Sequence, residues 1–286
     1  MADSGRNVRQ GYVLLAPTLM VVGLMLAAPL ALLLITSLKS QSGIGFEAGW
    51  TLAQYGEVLG RESYRTLFAR SVVVAAIVTA LTVALAYPMA YFVAFHARRK
   101  FLWLILLTIP FWTSYLLRVF AWKVIRGYGG VISSGLLGLG LIAQPLGFLL
   151  YNPFAVVVTL AHAWAAFAIL PIYVSLEKID RSLLEAASDL GDSKLRRFAR
   201  ITLPLSMPGV IGAAILIFVP TTGDFVTPEL VGGPSGAMIA NIIETQFTQV
   251  GNWPLGAALA LVSMAMVAVL AALFVAAARA AAQRIK

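Results

Sequence analysis

Six long apolar segments constrain the fold of this chain more than any other feature of its sequence. A membrane-crossing helix needs about 20 mostly apolar residues to span roughly 30 Å of hydrocarbon. The segments that meet this requirement are residues 12–35, 71–95, 101–117, 153–176, 205–225 and 254–278. The sequence therefore predicts an all-α, multi-pass membrane protein that forms a single domain over residues 1–286.

The composition excludes a soluble enzyme. Hydrophobic residues make up 60% of the chain, and charged residues make up only 12%, which is about half the usual charged share of a soluble domain. A water-soluble protein of this length would need more polar surface. Because the chain contains no cysteine, disulfides and thiolate metal sites are excluded as well.

The basic residues predict the orientation of the chain in the membrane. If the N-terminus is cytoplasmic, the cytoplasmic segments carry 14 of the 21 Lys and Arg residues. Such an excess is what the positive-inside rule requires. We therefore expect both termini to be cytoplasmic and the first apolar segment to be an uncleaved anchor. The cytoplasmic basic residues are spread over four short segments, which excludes a nucleic-acid-binding stripe.

The sequence lacks the residue patterns of a catalytic or metal site. Its two histidines, His96 and His162, have no second histidine at helical spacing, and no phosphate-binding P-loop is present. We therefore expect no catalytic residues, no metal ligands and no cofactor bound by this chain itself. Pro110 and Pro220 lie within apolar segments and predict kinks in the third and fifth spans.

The longest cytoplasmic segment, residues 177–204, has the pattern of two short helices. Ser182 and Glu185 match a capping box, which predicts a helix that starts at Ser182. Gly191 suits the left-handed residue that ends such a helix, and a second helix is expected over residues 193–200, before the next proline. The residues alone leave two interpretations open: an amphipathic helix lying on lipid, or a docking surface for a cytoplasmic partner.

The same segment resembles the EAA loop of permease subunits of bacterial ABC importers. The positions that carry the resemblance are Glu185-Ala186-Ala187, Gly191, Ile201 and Leu203-Pro204. Other stretches resemble the spermidine/putrescine branch of these permeases, particularly its first permease: residues 87–91, 109–114, 183–191, 203–209 and 223–230. The resemblance implies the six-helix fold of type I ABC importer permeases, in the bacterial inner membrane.

The resemblance also implies partners and a function. The partners are a second permease subunit, two ATPase subunits that bind ATP and Mg, and an external substrate-binding protein. This chain would form half of a substrate pathway for polyamines such as putrescine and spermidine, or for another small organic solute such as an opine or an amino acid derivative. Residues 177–204, here named the coupling loop, would dock on the ATPases through Glu185, Ala186, Ala187, Asp189 and Gly191.

Asp224 is the main candidate for contact with a cationic substrate, because an ionisable group in a membrane span is costly and usually functional. Aromatic faces attract cations as well. The other candidates for the substrate pathway are Phe111, Trp112, Tyr115, Trp164 and Glu229. Two alternatives remain open: Asp224 as a partner of Arg118 or a loop cap, and the aromatic residues as interfacial anchors or packing residues.

Two further observations bear on these expectations. In the fourth span, residues 162–167 depart from the pattern of polyamine permeases, so the pathway is expected to differ there. An ion-coupled secondary transporter would need intramembrane acids or an inverted repeat, and a membrane enzyme would need a cluster of His, Asp or Glu. The sequence offers one marginal acid, no repeat and no such cluster, which disfavours both.

Overall fold

The computed structural model describes residues 2–42, 45–46 and 49–283. Helices and strands are numbered in chain order. The α-helices are α1 Ala2–Ser37, α2 Ala53–Gly60, α3 Glu62–Phe95, α4 Lys100–Thr108, α5 Tyr115–Arg126, α6 Val131–Gly138, α7 Pro153–Ala163, α8 Ala165–Glu177, α9 Arg181–Asp189, α10 Lys194–Arg197, α11 Leu203–Thr222, α12 Gly233–Gly236, α13 Ile239–Thr245 and α14 Trp253–Gln283. Short 3₁₀-helices cover Ile109–Trp112 and Gly147–Leu149. π-Helical turns cover Phe198–Thr202, Pro228–Gly232 and Gln246–Val250.

Among the described residues, four helical segments are long and apolar enough to cross a membrane: Leu14–Ser37, Glu62–Phe95, Lys194–Thr222 and Trp253–Ala278. Two bent helix pairs also pass the test of length and composition. The number of spans is six if each bent pair counts as one, in agreement with the predicted all-α, six-span fold.

The third span is broken rather than merely kinked. Its first part runs from Lys100 to Trp112 and lies at 85° to the segment that starts at Tyr115. The change of direction predicted at Pro110 is therefore present, but the predicted span over residues 101–117 is interrupted rather than one kinked helix. The physical cause begins at Pro110, which lacks a backbone N–H. The backbone then becomes extended at Thr113, where the helical hydrogen-bond ladder ends.

The fourth span is also broken, at a position where no kink was expected. Helices α7 and α8 are bent by 47° around Trp164. In contrast, the fifth span is one unbroken helical segment that ends at Thr222. The fifth span is therefore not broken at Pro220, which lies two residues before the end of α11.

The second helix of the coupling loop does not end before Pro204, so that prediction was wrong. Helix α10 continues through the π-helical turn into α11. The backbone N–H of Leu203 donates to the carbonyl of Phe198, five residues earlier. Pro204 then lies directly after the π-helical turn, in the first turn assigned to α11.

The chain divides into two compact units, Met1–Glu62 with Ile243–Ser263, and Ser63–Ile242 with Met264–Lys286. The prediction of a single domain stays a prediction. The first unit contains the two-residue strands β1 Gln41–Ser42 and β2 Gly45–Phe46, which pair antiparallel. In the same unit, the side-chain amide of Gln41 donates to the carbonyl of Gly251 at 2.6 Å.

The second unit is built around the contact between α8 and α11. Its core includes the fully buried side chains of Leu160, Ile172, Leu176 and Ile217. At Gly209 of α11 the backbone approaches α8 so closely that a Cβ atom would lie 2.8 Å from the Cβ of Ser175. This contact requires glycine at position 209, and it joins the two helices between which the coupling loop runs.

Candidate functional site

The first helix of the coupling loop, α9, begins one residue earlier than the capping box predicts. Asp180 is its N-cap, and the carboxylate accepts the backbone N–H of Ser182 at 2.9 Å. The backbone N–H of Ser182, with its side chain, lowers the pKa of Asp180 below the ordinary value of 3.8. Ser182 is thus a residue of the first turn rather than the cap, because the carboxylate two residues earlier takes the free N–H group.

The turn that closes α9 contains Gly191 in a left-handed conformation, as predicted. Gly191 has a φ of +84°, a left-handed conformation that side chains with a Cβ rarely adopt. Its N–H donates to the carbonyl of Ser188, and the N–H of Asp192 donates to the carbonyl of Ala187 at 2.9 Å. These two bonds form a Schellman motif. The turn between the two helices of the coupling loop is therefore fixed by backbone geometry.

Basic side chains of α10 hold the two helices of the loop together. The guanidinium of Arg197 donates to the carbonyl of Leu184 at 3.3 Å and also to the hydroxyl of Ser188. Asp192 pairs with Arg196 at 3.6 Å and with Arg200 at 3.8 Å. The contacts of Arg197 therefore join α10 to α9, and the ion pairs of Asp192 fasten the turn between them.

The outer face of the coupling loop combines apolar and acidic side chains. Leu190 is 88% exposed and Leu195 is 77% exposed. Glu185 and Asp189 are exposed as well, as are Ala186 and Gly191, whereas Ala187 is buried against the rest of the loop. The predicted docking residues thus lie on one short segment, and all except Ala187 are accessible. Exposed leucines beside carboxylates are suited to a helix-in-groove contact.

The inner end of the loop is supported by the membrane helices. The ring of Phe198 packs edge-on against Tyr87 of α3 at 5.7 Å between ring centroids, and the hydroxyl groups of Tyr87 and Ser206 lie 2.8 Å apart. At the other end, Lys100 of α4 pairs with Glu177 of α8 at 2.8 Å. Both ends of the coupling loop are therefore connected to spans.

Asp224 lies in a second group of functional candidates, at the opposite end of α11. Asp224 as a whole is only 8% exposed. One carboxylate oxygen accepts the hydroxyl of Tyr115 at 2.6 Å. The other accepts the backbone N–H groups of Val226 at 3.0 Å and Thr227 at 3.4 Å. Asp224 thus caps the helical segment that follows it, and in the described part of the chain it forms no ion pair with Arg118.

A chain of aromatic ring contacts leads from Tyr115, which donates to Asp224. Tyr115 lies 6.0 Å from the ring of Trp164, and Trp164 lies 5.4 Å from Phe167. Phe167 in turn packs edge-on against Phe111 at 6.1 Å. We name these five residues, Phe111, Tyr115, Trp164, Phe167 and Asp224, the aromatic–acid cluster.

Four of the six predicted pathway residues belong to this cluster, and two do not. Trp112 is 77% exposed and forms no ring contact among the described residues. Glu229 is exposed, and its side chain has no hydrogen bond or ion pair within the described part of the chain. The cluster is possible because the break in the third span places Phe111 and Tyr115 on different helices.

Comparison with known proteins identifies the family. The model of the family described as "Binding-protein-dependent transport system inner membrane component" matches residues 49–286. The chain belongs to this family. It is accordingly a multi-pass inner-membrane transport component and not an enzyme. Among the described residues, no group of three or more His, Asp or Glu could hold a metal ion.

Curated relatives include polyamine permeases. The chain is 42% identical over 155 residues to the spermidine/putrescine transport system permease protein PotB of Escherichia coli (strain K12). The matched region covers 54% of this chain and 56% of PotB. It is 28% identical over 231 residues to the putrescine transport system permease protein PotI of the same organism, covering 76% and 74%. The chain thus matches about half the length of PotB.

Solved structures share the fold of this binding-protein-dependent transport component. A bacterial alginate ABC transporter in complex with an alginate pentasaccharide-bound periplasmic protein contains a chain with a TM-score of 0.75. The two chains are 16% identical, and the match covers 100% of this chain and 98% of the other. At this identity the likeness concerns the fold alone.

Sequence reasoning missed a row of side chains that joins two helices of this transport component, although it had named one of them, Arg118, as a candidate partner of Asp224. One face of α5 carries Arg118, Trp122 and Arg126, and all three contact α7: Arg118 donates to the carbonyl of Ala163, Trp122 to the imidazole of His162, and Arg126 to the carbonyl of Ala155. Arg126 is only 2% exposed. Their spacing of four residues is a helical signal, but it was overlooked because the third apolar segment was taken to end at residue 117, before all three of them.

Proposed function

We propose that this chain is a permease subunit of an ATP-driven importer, that it forms half of the substrate pathway, and that the cargo is a polyamine such as putrescine or spermidine. The observation that carries the proposal is the geometry of the coupling loop. Its two helices are held together, its turn is fixed at Gly191, and its leucines and carboxylates face outward. The polyamine permeases among the relatives support the choice of cargo.

The proposed partners follow from the same loop. Two ATPase subunits, which hold ATP and Mg, would receive the exposed face of α9 through Glu185, Asp189 and Gly191. A second permease subunit would complete the pathway, and an external substrate-binding protein would deliver the cargo. In this arrangement both termini and the coupling loop are cytoplasmic, as the excess of basic residues on that side suggests.

The contacts give a route for mechanical coupling. When the ATPases close, the docked loop is displaced together with α10. Helix α10 continues into α11, and α11 packs tightly on α8 at Gly209. The start of α8 carries Trp164 of the aromatic–acid cluster. Displacement of the loop would therefore move one wall of the cluster, which is the kind of rigid-body motion that alternating access requires.

The aromatic–acid cluster offers the chemistry that a polyamine needs. The carboxyl group of Asp224 lies in a largely buried position. Tyr115 donates its hydroxyl to this group, and the ring of Trp164 lies 6.0 Å from the ring of Tyr115. Carboxylates attract ammonium groups, and aromatic faces add about 0.5–2 kcal/mol for each favourable cation–π contact. Trp112 and Glu229 remain candidates for a part of the pathway outside the cluster.

The test is uptake by cells that express the whole transporter. Labelled putrescine, spermidine, a neutral amino acid and an opine-like anion are compared, with native Asp224 and with Asp224→Asn. We expect the polyamines to accumulate, and Asp224→Asn to raise the KM for polyamine uptake at unchanged membrane abundance. Accumulation of the anion or the amino acid instead would overturn the polyamine cargo while leaving the importer function intact.

The docking role has its own control in this experiment. Uptake and ATPase activity are measured on the same membranes, because a permease that is uncoupled from its ATPases loses uptake but not ATP hydrolysis. The two single variants Leu190→Ser and Leu195→Ser, which alter only exposed side chains, are expected to lower uptake. Full uptake by both variants would contradict docking through this face.

A further inference from the structure

The break in the fourth span has no cause in its own sequence. Sharp helix bends usually occur at proline, at glycine, or where another group enters the backbone ladder. Residues 160–167 contain neither proline nor glycine. Pro171 lies further along α8, and its missing hydrogen bond concerns the carbonyl of Phe167 rather than the break at Trp164. The cause therefore has to be a contact from another part of the chain.

Arg118 of α5 supplies that contact. Its guanidinium donates to the carbonyl of Ala163, the last residue of α7, at 3.0 Å. The final carbonyl groups of a helix lack partners within the helix and carry a partial negative charge. A guanidinium at this position donates a hydrogen bond to the carbonyl and also compensates the partial negative charge of the helix end. No carboxylate forms an ion pair with Arg118 in the described part of the chain, so the end of α7 provides its compensating negative charge.

Within the membrane, each partner alone would be unfavourable. A carbonyl without a hydrogen bond and a cation without a partner both cost several kcal/mol in hydrocarbon. Arg118 also lies over the ring of Phe111, with 4.7 Å between the guanidinium carbon and the ring centroid. One side chain thus contacts the 3₁₀-helix of the third span and the break in the fourth span.

This double contact sets the geometry of the aromatic–acid cluster. The direction of α8 after the break decides where Trp164 and Phe167 lie. These rings contact Tyr115 and Phe111, which lie three and seven residues before Arg118 in the sequence. If α7 and α8 formed one straight helix, the start of α8 would leave this position, and the wall of the cluster formed by Trp164 and Phe167 would be lost.

We propose that Arg118 is a positioning residue for transport: it holds the fourth span in its bent form by capping the carbonyl of Ala163, and thereby keeps Trp164 and Phe167 against Phe111 and Tyr115. The proposal rests on the proposed transport function for its consequence in uptake, but the geometry itself can be measured without transport. The residue does not contact the substrate in this role; it acts through the rings that it places.

The geometric test uses cysteine cross-linking, for which a chain without cysteine is well suited. Phe111→Cys and Phe167→Cys are introduced together, and a short thiol-specific cross-linker is applied to membranes. We expect efficient cross-linking with native Arg118, and a roughly tenfold lower yield with Arg118→Gln, since a lost hydrogen bond to a charged group corresponds to about that factor. Arg118→Lys, which retains the charge and a donor, should restore most of the yield.

A second cysteine pair serves as the control for folding. Lys100→Cys and Glu177→Cys replace an ion pair of 2.8 Å at the other ends of the same two spans, and their cross-link should be unaffected by Arg118→Gln. If that variant is degraded, Arg118→Met, which retains the apolar stem, replaces it. An unchanged 111–167 yield in either neutral variant that forms the control cross-link would overturn the proposal.

Uptake distinguishes this proposal from the proposed function. In the chain without introduced cysteines, Arg118→Gln should raise the KM for polyamine uptake about tenfold at native abundance. Lys123→Gln, an equal change of charge on the same helix, should leave uptake unchanged. If native membranes take up no polyamine but the cross-link still depends on Arg118, the proposed function fails for polyamines and the positioning role stands. If uptake is normal and the cross-link is independent of Arg118, only the positioning role is wrong.

Discussion

The coupling loop and the aromatic–acid cluster are assembled by contacts of very different sequence separation. In the loop, Asp180 caps a residue two positions away, and Arg197 reaches a carbonyl 13 positions away. Beside the cluster, Arg118 reaches a carbonyl 45 positions away, and within the cluster Tyr115 reaches a carboxylate 109 positions away. The loop can therefore form its shape locally, whereas the cluster exists only when the third, fourth and fifth spans are packed together.

This difference predicts how the two regions respond to change. A substitution in the loop should alter coupling while the spans stay folded. A substitution in the cluster or in the helices that carry it should alter the substrate pathway and often the stability of the bundle. The contact between α8 and α11 is common to both regions, since it joins the loop at one end to Trp164 at the other.

The largest effect is expected for Gly209→Ala, which should impair both regions at once. The added Cβ would lie 2.8 Å from the Cβ of Ser175 and would also clash with the carbonyl of Pro171. Overpacking of this kind costs about 1–3 kcal/mol, so the midpoint of thermal unfolding in detergent and polyamine uptake should both fall.

Gly212→Ala is the matched control for this substitution. It lies in the same helix, and a Cβ there has no neighbouring atom within 4 Å. Replacement of a helical glycine in open space should stabilise the helix by roughly 0.5–1 kcal/mol. Equal unfolding temperatures for the two variants would show that the close contact between α8 and α11 does not contribute to stability.

Gly191→Val should impair the coupling loop while the spans stay folded. A Cβ at this position meets no atom within 4 Å, so the effect comes from the backbone alone. The φ of +84° costs a residue with a Cβ about 1–2 kcal/mol, and a β-branched residue more. We expect unchanged abundance, continued ATP hydrolysis and uptake lowered at least about tenfold.

Gly191→Asn tests whether conformation is the cause. Asparagine tolerates left-handed backbone better than other residues with a side chain, and it should retain most of the uptake. Normal substrate accumulation by Gly191→Val would contradict the role of this turn in coupling.

Tyr115→Phe should alter the cluster and spare the loop. The substitution removes the hydroxyl that donates to Asp224 at 2.6 Å, and a hydrogen bond to a charged group contributes about 1.5–3 kcal/mol. The KM for uptake should rise, while ATPase activity should persist. Tyr128→Phe, at an exposed tyrosine, is the control. An unchanged KM in Tyr115→Phe would show that this hydrogen bond does not contribute to transport.

The smallest effect is expected at the start of α9. Asp180→Ala should speed hydrogen exchange in the first turn of α9, whereas Asp180→Asn, which still accepts the N–H of Ser182, should not. Because folding lowers the pKa of Asp180, the charged form favours the helix. This contribution is present at neutral pH and is lost as the pH falls through that lowered pKa. Ser182→Ala should change little, and a large effect there would favour the capping box instead.

Local features of this chain could be predicted from the sequence. The six apolar segments, the turn at Gly191 and the interruption after Pro110 each depend on residues that are close in the chain. The N-cap of α9 was misplaced by two residues because Asp180 and Ser182 both offer side-chain oxygens suited to a cap, and the carboxylate of Asp180 takes this position. The continuation through Pro204 was missed because a π-helical turn accommodates the proline.

The composition of the cluster could be predicted only in part. Asp224, Phe111, Tyr115 and Trp164 were identified by the cost of an acid in a span and by the affinity of rings for cations. The break at Trp164 and the role of Arg118 were not, because they depend on the carbonyl of one helix meeting the side chain of another. No local pattern marks that meeting, although the four-residue spacing of Arg118, Trp122 and Arg126 along α5 indicates a common face.

The π-helical turn at Phe198–Thr202 also determines the angular phase between the loop and the fifth span. From Lys194 to Thr222 the chain forms one 29-residue helical rod, about 44 Å long at 1.5 Å per residue. One residue more or less rotates everything downstream by about 100°. A single deletion within Phe198–Thr202 would therefore turn Gly209 away from α8 while every side chain of α10 and α11 remained. The number of residues between the coupling loop and Gly209 therefore sets how the docking residues are oriented relative to the contact between α11 and α8.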